Sequence, residues 1–192
     1  MTTLILGLVL FLGMHSASLF APALRNRLAA AGGGIPWKLV YALVSIVGFW
    51  LILRGYGEAR LAPEVLYSPP RWTRHLMALL MLPVFPLLLA AYLPGRIKAL
   101  AGGHPMLVAT KLWALTHLLG TTTVADAVLF GSFLAWAVAD FVSARRRPAR
   151  AIPAAPPSRF NDAIALVVGL ALYGAFVGYL HLHLIGIAPF AR

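Results

Sequence analysis

Long apolar runs without a formal charge limit what this chain can fold into more than any other feature. Thr2 to Phe20 carries no charge and holds one titratable side chain, His15. Leu39 to Leu53, Leu76 to Leu93 and Ala163 to Leu180 are equally free of charge. A bilayer's hydrocarbon layer is crossed by about 20 apolar residues as helix. No water reaches that layer to satisfy backbone groups, so runs of this kind fold as helices. Two further runs carry polar groups inside them: Lys111 and His117 in one, Asp126 and Asp140 in the other. The sequence therefore predicts an all-α polytopic membrane protein, a bundle of about six transmembrane helices. The spans fall at about 2–20, 36–53, 75–93, 105–120, 124–142 and 161–184, in one domain over residues 1–192.

Composition agrees. The chain is 61% hydrophobic and 11% charged, with a mean hydropathy of +0.86. Soluble domains run nearer 45–50% apolar and about 25% charged, which excludes a soluble domain and a disordered tail. The net charge of +11 would suggest nucleic acid on a soluble protein. Here the cations lie between the apolar runs, where they set topology, and no nucleic-acid partner is expected. Arg25, Arg27, Lys38, Arg96, Lys98, Arg145, Arg146, Arg147, Arg150 and Arg159 fall on one side. Arg54, Arg60, Arg71, Arg74 and Arg192 fall on the other. The richer side is cytoplasmic, so both termini are predicted outside. The first run lacks a basic n-region, and Phe20-Ala21-Pro22-Ala23 is a poor cleavage site, so it reads as a retained helix. Pro83 and Pro86 predict a kink in the third span. Ser158 is the predicted N-cap of the sixth. Gly174 and Gly178 form a GxxxG, read as close helix packing within the monomer ahead of a homo-oligomer contact.

Ionisable groups inside spans are costly and face an interior or a cavity. Those in or bordering the spans are His15, His75, His104, Lys111, His117, Asp126, Asp140, His181 and His183. At about 1.5 Å per residue, His15 and His117 both fall near the middle of the layer, on helices one and four. Such a pair is open to two readings: hydrogen bonds to nearby carbonyls, or ligation of one haem between the helices. The chain has no cysteine, so any iron is left to histidine. His104, before Pro105, reads as a cap or a partner for a propionate. Lys111 reads as paired with Asp126 or Asp140, or as meeting an anionic group of a cofactor. His181 and His183 point about 160° apart on a helix, so with His75 they read as interface histidines ahead of a metal site. No GxSxG, HExxH, P-loop or dinucleotide fingerprint is present.

A series of short motifs resembles the NnrU family. They are Gly13-Met14-His15-Ser16 with Ala21-Pro22 and Arg25, Trp37-Lys38, Arg54-Gly55-Tyr56-Gly57, and Trp72-Thr73-Arg74-His75. They continue as Gly103-His104-Pro105, Lys111-Leu112-Trp113 with His117, Phe130-Gly131-Ser132 with Trp136 and Asp140, and Leu184-Ile185-Gly186. The resemblance implies a multi-pass bacterial inner-membrane protein linked to denitrification and nitrogen-oxide metabolism. That family is similar in turn to 15-cis-zeta-carotene isomerase, a membrane enzyme with haem b. Its proposed axial histidines would map onto His15 and His117. Its further histidine falls near Ala135 here, which would leave His75 to stand in. The resemblance thus implies haem b with His15 and His117 on the iron, and His104, Lys111 and His75 as further cofactor contacts. Three functions stay open. One is a haem protein of nitrogen-oxide metabolism, acting in electron transfer, NO binding or sensing. Another is a haem-dependent isomerase of a carotenoid or other polyprenoid, with a hydrophobic polyene as substrate. The third is a cofactor-free accessory protein of a respiratory or denitrification complex.

Overall fold

The structure, a computed structural model, describes residues 1–147 and 153–190. Pro148 of the predicted linker, Arg150 of the basic cluster and the terminal Arg192 lie outside the described residues. Six helices organise the chain: α1 Thr2–His15, α2 Ile35–Ala59, α3 Thr73–Ala90, α4 Pro105–Leu119, α5 Val124–Ala144 and α6 Asn161–Ile185. Among the described residues, α2, α3, α5 and α6 are long and apolar enough to cross a membrane. Only 11–22% of their apolar windows is buried within the protein. Leu39, Leu43 and Ile46 of α2 and Val167 of α6 are exposed by 59–67%. Apolar faces bare over this length fit a hydrocarbon solvent, because in water they would be a large aggregating patch.

The two remaining helices fall short of the predicted six spans. α1 has 14 residues and α4 has 15, which at 1.5 Å per residue is about 21–23 Å against a layer of about 30 Å. The predicted run 2–20 breaks at Ser16, and a short helix Ala17–Phe20 follows. Ala21 then leaves the helical region (φ −135°, ψ 55°), as the residue before Pro22 is pushed to do. Pro105 starts α4, and Gly120 stops it against Met77, whose Sδ would lie 2.5 Å from an added Cβ. α2 runs past its predicted end at residue 53 as far as Ala59.

The contacts divide into two units. The first comprises 1–68 and 121–140, the second 69–120 and 141–192. In the first, α1 and α2 run antiparallel and touch backbone to backbone at glycines. A Cβ on Gly7 would lie 2.6 Å from the Ile52 nitrogen, and one on Gly48 would lie 2.7 Å from that of Phe11. One on Gly55 would overlap the Leu4 backbone. Small residues allow this approach, and in lipid close packing is what holds helices together. Leu4, Leu8 and Ile52 are buried at the same seam. The N-terminus of α5 is fastened by a reciprocal cap. The Thr123 hydroxyl accepts from the Asp126 N–H at 3.2 Å, and the Asp126 carboxylate accepts from the Thr122 and Thr123 N–H groups at 3.1 and 3.0 Å. The Tyr56 hydroxyl donates to the same carboxylate at 2.6 Å. Loop 60–68 is held to this turn by an isolated antiparallel bridge between Val65 and Thr123 and by the Val124 N–H bond to the Glu64 carbonyl, 3.0 Å.

In the second unit, α3 breaks at Leu82–Pro83, where the kink was predicted. Pro83 has no N–H, and the Leu82 N–H turns to the Leu79 carbonyl at 3.3 Å. That frees the Ala78 carbonyl, which accepts from the Tyr173 hydroxyl of α6 at 2.7 Å. Gly169 of α6 meets Pro86 of α3, whose nitrogen would lie 2.5 Å from an added Cβ. The GxxxG reading is corrected: nothing lies within 4 Å of a Cβ built on Gly174 or Gly178, and both are exposed. Phe176–Leu180 forms a π-helical turn, so a spacing of four no longer returns to one face there. Ser158 is not the N-cap of α6. Phe160 holds that position, and the Ser158 hydroxyl accepts the Phe160 N–H at 3.2 Å. Asp162, in the first turn, accepts from the backbone N–H groups of Arg96 and Ile97 and so caps the short helix Arg96–Leu100.

Candidate functional site

His15 is the last residue of α1, immediately before the Ser16 break. Its Nδ1–H donates to the Phe11 carbonyl one turn back at 2.7 Å. A carbonyl can only accept, so in the neutral ring Nε2 carries the lone pair a metal would need. The ring is half-buried among aromatic side chains. Phe11 stacks on it with centroids 4.2 Å apart, Tyr41 of α2 lies at 5.2 Å, and Trp136 of α5 stands edge-on at 6.0 Å. The Trp136 Nε1 is buried with no hydrogen-bond acceptor among the described residues. The site thus combines a fixed imidazole with an unspent donor.

His117, in the last turn of α4, repeats the local arrangement in the second unit. Its Nδ1–H donates to the Trp113 carbonyl at 2.8 Å, and the Trp113 ring lies 5.4 Å away. The neighbouring Thr116 is fully buried, and its hydroxyl has no partner among the described residues. His183 shows the same motif with Tyr179, bonded at 2.9 Å and stacked at 3.9 Å, yet it is exposed. An aromatic residue four positions before a histidine therefore occurs three times, at Phe11, Trp113 and Tyr179. Half-burial, not the carbonyl bond, sets His15 and His117 apart from His183.

The other predicted contacts take different roles. His104 is the N-cap residue of α4 by backbone position, but its side chain caps nothing; its ring stands edge-on to Phe141 at 6.2 Å. Among the described residues Lys111 makes no ion pair. Its ammonium lies 3.5 Å from the Phe141 ring centroid, and Asp126 is satisfied by Tyr56, Thr122 and Thr123. Asp126 is thus a helix cap and not the partner of a buried cation. His75 is exposed and stacks on Phe190 at 6.0 Å. His181 donates to the Ile187 carbonyl at 2.6 Å. Among the described residues no three His, Asp or Glu side chains converge to hold a metal ion. Iron at these histidines would have to bring most of its ligands with it, as a porphyrin does.

The sequence also carries signals beyond those singled out above: the Thr123-x-x-Asp126 capping box, the three aromatic-x-x-x-His pairs, and Phe141. Comparison with curated proteins and with solved structures finds no match. The family described as NnrU protein matches residues 3–189, nearly the whole length, and the chain belongs to the NnrU family.

Proposed function

We propose that this NnrU-family chain is a haem b-binding integral membrane protein of nitrogen-oxide metabolism, in which His15 would hold the iron. One observation carries the reading: the Nδ1–H bond to the Phe11 carbonyl reserves Nε2 of a half-buried ring for a metal. His117 makes the same Nδ1–H bond to a carbonyl within its own unit, and the family resemblance puts it forward as the second ligand. Bound haem would supply a one-electron couple. The protein's part is then to orient and to exclude water. The Phe11 carbonyl fixes the tautomer and rotation of His15, while the Phe11, Tyr41 and Trp136 rings surround it. The link to nitrogen oxides follows the family resemblance.

The test is a visible spectrum of the detergent-purified chain, oxidised and reduced. A Soret band that shifts on reduction is expected, and His15→Ala should shift it or lose the pigment, with His117→Ala doing the same. A folded, colourless protein that takes up no haemin, or unchanged spectra in both variants, would overturn the proposal.

A further inference from the structure

Phe141 in the second unit gathers three basic side chains. The Lys111 ammonium lies 3.5 Å from its ring centroid, the Arg145 guanidinium 5.9 Å, and the His104 ring 6.2 Å. Among the described residues no carboxylate pairs with any of the three. The ring's negative face attracts each cation but leaves its charge unneutralised. Two cations and an imidazole around one ring, with no acid, complement an oxyanion.

Position selects which oxyanion. Arg145 lies just past the end of α5, and His104 just before the start of α4. Lys111 is two turns into α4, and helical side chains lean towards the N-terminus, here towards His104. The adjoining apolar side chains Met106 and Val142 are exposed by 41% and 46%, as lipid-facing residues are. Where lipid-facing helices end, the phosphates of the lipid headgroups begin. We propose that His104, Lys111 and Arg145, gathered about Phe141, bind the phosphate of an anionic phospholipid headgroup. This reading stands independently of haem.

The experiment is native mass spectrometry of the full chain after exchange into mixed micelles of phosphatidylglycerol and phosphatidylcholine in equal amounts. The wild type should retain phosphatidylglycerol preferentially. Lys111→Gln with Arg145→Gln should lower that preference by about fivefold per cation removed. Arg71→Gln, an exposed cation outside the cluster, should leave it unchanged. Should the double variant unfold, Lys111→Gln read against Lys111→Arg decides the matter, since only the latter keeps the charge. An unchanged preference in the variants, or an equal fall in Arg71→Gln, would overturn the proposal.

Discussion

In the first unit, α1 and α2 meet through the bare backbones of Gly7, Gly48 and Gly55, while in the second, α3 and α6 meet across a broken helix. The first pair keeps its main-chain hydrogen bonds inside each helix and gains from close contact. The second gives up a bond at Pro83 and recovers it with the Tyr173 hydroxyl on the Ala78 carbonyl. Lipid offers helices little hydrophobic reason to associate, so either close packing or a polar group in need of a partner must supply it. This chain uses each device in a different place.

The sharpest way to break that contrast is at the glycine seam. Gly55→Ala would drive a methyl group into the Leu4 backbone, which cannot move aside as a side chain tip can. A loss of about 3 kcal/mol in detergent unfolding is expected, at the upper end for overpacking; unchanged unfolding would mean that α1 and α2 are not in backbone contact. In the second unit, Tyr173→Phe removes the hydroxyl and strands the Ala78 carbonyl. It should cost about 1–2 kcal/mol by the same measurement, and a neutral result would show that water or lipid reaches the break. Gly174→Ala sets the lower bound. Its methyl group meets nothing within 4 Å, and alanine favours helix by up to about 1 kcal/mol. Stability should hold or rise slightly, whereas a clear loss would restore the GxxxG as a packing face.

Much of the helical frame was legible because lipid imposes a strict rule on sequence: charge-free runs of sufficient length become helices. The break at Pro83 was legible for a similar reason, since proline lacks the N–H whatever surrounds it. Partners were not legible. The spacing of Gly174 and Gly178 marks two small residues but not what faces them, and it presumes an α-helical turn where a π turn forms. Nothing at Gly7, Gly48 or Gly55 announces which residues will approach. A lysine inside an apolar run points to an acid or to an anionic group of a cofactor, yet the favourable surface beside Lys111 is the neutral Phe141 ring. For the candidate site, the sequence singled out His15 and His117 as histidines inside apolar runs. It did not show that each is the end, or nearly the end, of a helix too short to cross the layer alone.

The cap on α5 has a consequence for how this protein is made. Asp126 closes a hydrogen bond with Tyr56, and Thr123 pairs with Val65, although α3 and α4 lie between these partners in the chain. The first unit therefore cannot be completed in the order in which it is synthesised. Its opening helices are made before two helices of the other unit, and the Tyr56 hydroxyl lacks its final acceptor until α5 arrives. A chain stopped at residue 120 would carry α1 and α2 intact, yet it would be missing the acid, the bridge and the Trp136 wall beside His15.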